Sequence, residues 1–167
     1  MFYSAIYQSP VGQITLASDG EALVGLWLEN QKYFGATMTE EMQCKADLPI
    51  FAATRLWLDR YFGGEAPSPA ELPLAPSGSA FRQAVWKILC EIPYGEVTTY
   101  GKIGVQIAAQ LGRRSMSGQA VGGAVGHNPI SIIIPCHRVV GSDGSLTGYA
   151  GGVDIKARLL ALEGAAI

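Results

Sequence analysis

The stretch Ile130-Ser-Ile-Ile-Ile-Pro-Cys-His-Arg-Val-Val140 carries an apolar, β-branched run that stops at Pro135 and is followed at once by a sulfur, an imidazole and a guanidinium. Proline removes a backbone donor and fixes φ, so the run reads as a buried strand that ends there. Val139 and Val140 then resume the apolar pattern. The chain therefore sets its most nucleophilic residue type, Cys136, at the end of a stiff segment, a position suited to holding a reactive group.

An isolated free cysteine is ordinarily a small buried hydrophobe. Cys136 is distinguished by its neighbours: His137 is one of two histidines, and the other, His127, lies only ten residues before it. A thiol at its ordinary pKa is mostly protonated near neutrality, so a nucleophilic cysteine needs a base or a positive charge beside it. Along an extended strand Cys136 and His137 would point to opposite faces. Proton transfer between them requires a turn just after Pro135 or a bridging water, and both are expected.

Working outward, 167 residues suffice for one ordinary domain or two small ones. A hydrophobic fraction of 49% with 16% charged residues describes a water-soluble chain with a real core, and no apolar run reaches the length of a membrane span. The first residues show neither a basic n-region nor a continuous apolar h-region, so no secretory signal is expected. Cys44, Cys90 and Cys136 are too widely spaced for a disulfide framework or a zinc site, which points to a reducing cytoplasm. The net charge of −2 is unevenly divided: residues 1–79 carry −5 and residues 80–167 carry +3. Only the C-terminal half is charged to meet a polyanion.

Phe2 to Tyr7, Gln13 to Ala17 and Ala22 to Leu28 read as short antiparallel strands, separated by the turn signals Ser9-Pro10-Val11-Gly12 and Ser18-Asp19-Gly20. Residues 31–46 are polar and receive no element. A helix is expected from Leu48 to Phe62, its apolar residues being Phe51, Leu56, Leu58, Tyr61 and Phe62, with Gly63-Gly64 as its stop. Nothing in this half carries obvious chemistry, and it reads as a scaffold. Residues 63–79 hold four prolines and three glycines, the composition of a connector over the surface, and the domain boundary is placed after residue 78.

Ser79 opens a helix through Leu89 with Phe81, Val85, Trp86 and Leu89 on one face, and Cys90 near its end reads as core. Thr98 or Thr99 caps the next helix, which stops before Gly112. Arg113-Arg114 leads to Ser115 and Ser117 as alternative caps of a helix through about Val125. Two helices joined by a short basic turn match a helix-turn-helix outline. The second contains Gly118, Ala120, Gly122, Gly123 and Ala124; glycine costs helix stability, so another backbone is expected to come close, either a neighbouring helix or a sugar-phosphate wall. Asn128-Pro129 ends it. Residues 141–152 include five glycines around Tyr149, without phosphate-loop spacing, and read as a shaped loop over a pocket. Asp154 is the expected cap of a last helix, on which Lys156 and Glu163 share a face.

The chain is thus a mixed α/β (α+β) protein. Residues 1–78 form a small antiparallel sheet plus helix, and residues 79–167 a mainly helical domain with a winged-helix-like helix-turn-helix.

Pro135-Cys-His-Arg-Val-Val140, preceded by Asn128-Pro129 and followed by Gly148-Tyr-Ala-Gly-Gly152, resembles the signature of the O6-alkylguanine-DNA alkyltransferases. Gly95-Glu-Val-Thr-Thr-Tyr100 and Ala120-Val-Gly-Gly-Ala124 stand in family order and spacing, so the resemblance covers Ser79 to Glu163. It implies a direct repair protein, acting without a cofactor and as a monomer. Such a protein binds duplex DNA, flips an O6-alkylated guanine into a pocket and moves the alkyl group irreversibly to its own cysteine. O4-alkylthymine is a second substrate that the resemblance allows.

Carried over residue by residue, the resemblance makes Cys136 the acceptor, with His137 taking its proton through a water and Glu163 orienting the imidazole. Asn128 becomes a hinge and Tyr100 a donor to the flipped base. Val139, Tyr149, Ala150, Gly151 and Lys156 surround the base. Arg113, Arg114, Ser117, Gly118, Gln119, Ala120, Gly122 and Arg138 face DNA. In two places the chain departs from the family pattern: Gln119 stands where an arginine is often found, and Ala150 where some members have serine. No structural zinc is expected, because the N-terminal half offers only Cys44 and no histidine. The competing readings are an alkyltransferase-like lesion binder, a cysteine hydrolase built on Cys136 and His137, and a sequence-reading transcription factor. The first lacks the acceptor cysteine, the second usually draws its base from elsewhere in the chain, and the third needs long side chains on its recognition helix.

Overall fold

Three strand-like runs separated by turn residues in the first thirty positions build three strands in a computed structural model of the chain, which describes residues 1–146 and 148–165. β1 (Phe2–Ser9), β2 (Gly12–Ser18) and β3 (Leu23–Leu28) form an antiparallel meander, with a bulge at Ala17/Ser18. The sheet is not purely antiparallel as expected. A short β4 (Met42–Cys44), drawn from the polar stretch without an assignment, lies parallel to β1 and gives the order β3-β2-β1-β4. Three residues with one weak apolar position give no readable period, which is why pattern alone passes over it.

α1 (Pro49–Phe62) begins with Pro at its first turn, where a missing N–H costs nothing, and ends at Gly63 and Gly64. Phe51, Trp57, Leu58 and Tyr61 are buried, whereas Leu56 faces solvent at 62% exposure and is not part of the apolar face.

The connector does more than cross the surface. Ser68 and Glu71 close a capping box around a 3-10 turn, and Leu72 is buried. Leu23 then donates to the Pro73 carbonyl (2.9 Å) and accepts from the Ala75 N–H (2.8 Å). The same edge of β3 is used again further along: Leu26 donates to Pro129 (2.8 Å) and accepts from Ser131 (3.0 Å). An exposed strand edge is thereby covered, and the segment leading to Cys136 is clipped to the N-terminal sheet.

α2 (Ala80–Cys90), capped by Ser79, lies against α4 (Gly118–Gly126), capped by Ser117. α3 (Tyr100–Gln110) is capped by Thr99. α3 and α4 make the helix-turn-helix, crossing where Gly104 lies near Met116 and Val121. A two-stranded parallel pair, β5 (Thr98–Thr99) and β6 (Val139–Val140), joins its base to the Cys136 segment. α5 (Val153–Leu162) closes the chain. Its N-cap is Gly152, and Asp154 sits in the first turn without a side-chain cap bond, because the positive φ of Gly152 already turns the chain into the helix. No described helix is long and apolar enough to cross a membrane.

One apolar cluster runs from Ile14, Leu26 and Phe51 through Trp86 and Val121 to Ile134 and Leu159. Trp86 is its bolt: the ring is buried and its Nε1–H donates to the Ala124 carbonyl (2.8 Å). The Asn128 N–H turns instead to Val125, so Trp86 satisfies a carbonyl at the end of α4 that the helix leaves open. Trp86→Phe is expected to lower stability by about 1–3 kcal/mol, from a buried carbonyl left unpaired, read as the shift in urea midpoint at constant slope.

Candidate active site

The expected strand before Cys136 does not form. After Ile130 bridges to Leu26, residues 131–134 turn, and Cys136–Arg138 make a 3-10 turn. Asn128 imposes this path. Its Oδ1 accepts from the Ile130 N–H (3.0 Å) and its Nδ2 donates to the Ile134 carbonyl (2.8 Å), so one buried amide spans the loop. Ile132 takes a φ of 71°, a conformation costing a β-branched residue about 1–2 kcal/mol. The isoleucine run is buried on all sides, which mimics a strand in sequence. In the 3-10 turn successive side chains stand about 120° apart rather than on opposite faces. The turn that Cys136 and His137 require after Pro135 is therefore present.

His137 is completely buried, and its Nε2 lies 2.6 Å from Glu163 Oε2. The carboxylate fixes the Nε2–H tautomer and leaves the Nδ1 lone pair without a protein partner among the described residues. Burial lowers the His137 pKa more than Glu163 raises it, so the ring is neutral near pH 7 and able to accept a proton. Burial alone would raise the Glu163 carboxyl, but hydrogen bonds from His137 and Arg138 outweigh it and hold the group at about 2. Burial pushes the Cys136 thiol up, opposed by the Asn128 amide and the Lys156 ammonium. Lys156 is itself buried, with a pKa lowered by desolvation against the pull of Cys136.

Three contributors to this cluster were not foreseen. Tyr61, from the half read as mere scaffold, donates to Glu163 Oε2 (2.6 Å), and the Gly95 N–H reaches Oε1 (3.2 Å). Arg138 was expected to face DNA, and the structure corrects this. It is buried, with Nε and Nη2 on the Glu163 carboxylate (2.8 and 3.1 Å) and Nη1 on the Ile92 carbonyl (2.6 Å). A guanidinium beside an apolar run reads as surface charge only until the carboxylate 25 residues away is known to share its interior.

Tyr100 stands half-buried at the start of α3, with a pKa raised by burial and then by Cys136. Its hydroxyl would lie 3.2 Å from a Cβ placed on Gly148, so only glycine leaves that side open. Tyr149 is buried beside Cys136 and His137, Ala150 is half-buried, and Val139 occupies β6. A Cβ on Gly151 would fall 2.5 Å from Leu28 and 2.8 Å from the Tyr149 ring, so this glycine is what lets the loop lie against β3.

Arg113, Arg114, Ser117, Gly118, Gln119 and Ala120 form an exposed face of α4 and its approach, and Gly122 is half-exposed. A cavity of about 440 Å3 opens there between α3 and the α4 N-terminus, lined by Tyr100, Gly104, Arg113, Arg114 and Met116 among others. Added Cβ atoms on Gly118, Gly122 and Gly123 would meet nothing within 4 Å. No neighbouring helix accounts for these glycines; the space they leave lies outside the protein.

Residues 2–76 match the ribonuclease-like domain of 6-O-methylguanine DNA methyltransferase, and residues 80–165 match the DNA binding domain of the same enzyme. The methylated-DNA--protein-cysteine methyltransferase of Haemophilus influenzae is 44% identical over 161 residues, 96% of this chain and 86% of that protein. That of Mycobacterium bovis is 42% identical over 163 residues, 98% and 93% of the two chains. The crystal structure of Mycobacterium tuberculosis O6-methylguanine methyltransferase superposes with a TM-score of 0.82 at 40% identity, covering 98% of this chain and 93% of the other. The same organism's OGT in complex with DNA superposes at 0.81, covering 98% and 92%. The chain belongs to the 6-O-methylguanine DNA methyltransferase family.

Two outcomes follow from the Glu163 cluster. Arg138→Met leaves a buried carboxylate short of its main counter-charge and should cost about 3–5 kcal/mol in urea unfolding. The salt slope of DNA binding by the folded protein should not change. The Glu163 carboxyl, held at about 2 against an ordinary 4.5, contributes stability that is present above pH 4.5 and lost as pH falls toward 2.

Proposed function

We propose that this chain repairs alkylated duplex DNA directly, by moving the alkyl group from O6 of a flipped guanine to Cys136. The single observation that carries this reading is the ordered set of a thiol, a neutral imidazole with a free lone pair and an ionised carboxylate, placed beside a loop that Gly148 and Gly151 allow to pack close to Tyr100, Tyr149 and β3. Support also comes from the outward-facing glycines of α4, which let a nucleic-acid backbone approach closely.

In this mechanism the Cys136 proton passes through a water to His137 Nδ1, and Glu163 stabilises the imidazolium across the Nε2–H bond. The sulfur forms a bond to the alkyl carbon as the carbon–O6 bond breaks. The electron pair leaves with O6, and Tyr100 stabilises the developing guanine anion as a hydrogen-bond donor. The proton that Cys136 gave to His137 is returned through water and the Tyr100 hydroxyl to the guanine, so that imidazole and phenol end as they began. The product is a thioether, which water does not release, so each molecule acts once and needs no cofactor. Asn128 ties the end of α4 to the Cys136 segment, so docking of α4 and placement of the sulfur are mechanically one step. Flipping costs a few kcal/mol, offset by groove contacts from Arg113, Arg114 and Ser117 and by Gln119 in the vacated stack. In the same reading residues 79–167 bind and transfer, while residues 1–78 brace the site.

The test is intact-protein mass after incubation with a duplex containing O6-methylguanine, followed by peptide mapping. The expected gain is one methyl per molecule, on Cys136 and abolished by Cys136→Ser. Selective binding to the lesion with no gain would contradict transfer. Because Gln119 brings no charge, Gln119→Arg is expected to tighten duplex binding and to steepen its salt dependence by about one unit of slope, as measured by titration at several salt concentrations.

A further inference from the structure

The N-terminal half reaches the neighbourhood of Cys136 at a second place. Beyond β3, Lys32 and Tyr33 lie against the glycine-rich loop of the other half: the Lys32 N–H donates to the Ala150 carbonyl (3.0 Å). The Tyr33 ring stacks on His127, with centroids 3.9 Å apart and planes within 24°. His127 caps the C-terminus of α4 and is fixed by its own Nδ1 on the Gly123 carbonyl (2.7 Å). The wall is thus braced from both sides, by α4 and by the loop that carries Tyr149.

Tyr33 holds this position at a backbone φ of 60° and stays 48% exposed. An aromatic residue that is half in water adds little to the core, yet its left-handed backbone costs about 1–2 kcal/mol. The return is the stack on His127 rather than burial in the core, and strain kept for such a contact points to a function for the ring.

Lys32, Tyr33, Gly126, Gly148, Tyr149 and Ala150 line an open recess of about 150 Å3. Two of its lining residues also adjoin the reactive centre: the Tyr149 ring meets His137 edge-on with centroids 6.5 Å apart, and Gly148 borders the Tyr100 hydroxyl. A cavity of this size holds one benzene-sized ring.

We propose that Tyr33, braced by His127, is the outer wall of the lesion pocket and sets the size of the O6 substituent this chain accepts. The inference rests on the transfer reading and adds to it a specificity-determining residue from the half that carries none of the transfer chemistry.

The test compares the full-length wild type with Tyr33→Ala, Tyr33→Phe and Tyr33→Trp. Rates of Cys136 alkylation are measured with two duplexes, one containing O6-methylguanine and one O6-benzylguanine. Tyr33→Ala is expected to raise the benzyl-to-methyl rate ratio about tenfold, the scale on which pocket shape discriminates apolar groups. Tyr33→Phe should keep the wild-type ratio, and Tyr33→Trp should lower it. A merely structural role would slow both duplexes equally, and ratios unchanged in both Tyr33→Ala and Tyr33→Trp overturn the proposal. Should Tyr33→Ala fold poorly, Tyr33→Trp decides alone. A wild type that takes up neither group would refute the transfer reading itself, whereas methyl uptake with an insensitive ratio refutes only the role of Tyr33.

Discussion

One buried carboxylate organises this molecule. Glu163, just past the end of α5, accepts hydrogen bonds from the Tyr61 hydroxyl, the Gly95 N–H, His137 and two nitrogens of Arg138. A buried carboxylate without such partners would take up a proton rather than stay charged, since desolvation costs several kcal/mol. With them it stays ionised well below the usual carboxylate range. Because it is charged, it selects one tautomer of His137 and holds Arg138 inside. α1, the turn after α2, the Cys136 segment and α5 all meet at this group, so its loss would loosen each of them together.

The same geometry removes the distinction between scaffold and site. Residues 1–78 hold no nucleophile in the mechanism, yet β3 lends an edge to Pro129 and Ser131, α1 supplies Tyr61, and the segment after β3 supplies Lys32 and Tyr33. The apolar cluster is continuous across the connector. A transfer site must be stiff to hold a sulfur in line with a carbon–oxygen bond, and stiffness here comes from closing a strained turn between two halves.

Much of this was legible in the chain. The meander followed from strand-like runs and turn residues, and the helices from caps that the sequence offered as Ser79, Thr98 or Thr99, and Ser115 or Ser117, of which Ser79, Thr99 and Ser117 are used. The grouping of Cys136, His137, Asn128, Tyr100 and Glu163 was what the family resemblance implied, carried by the motif from Asn128 to Val140. Other features were hidden for physical reasons. The isoleucine run before Pro135 looks like a strand because burial on all sides gives the same composition whether the backbone is extended or turned; the two hydrogen bonds of Asn128, with the backbone bond from Ile134 to Ile130, hold the turn. Tyr61 sits at a helical core position and differs from any buried tyrosine only by what its hydroxyl meets 102 residues later. Arg138 carries a charge, and sequence alone does not reveal that charge's partner. The Tyr33–His127 stack is a contact between halves, for which no local pattern exists.

The most direct test of the central claim is a carbon-detected NMR titration of the Glu163 side-chain carboxyl in the wild-type protein. The account predicts that the group remains a carboxylate through pH 4.5 and titrates only toward about 2. A midpoint at or above 4.5 would mean that His137 and Arg138 do not hold the charge, and that the imidazole is oriented by something other than Glu163.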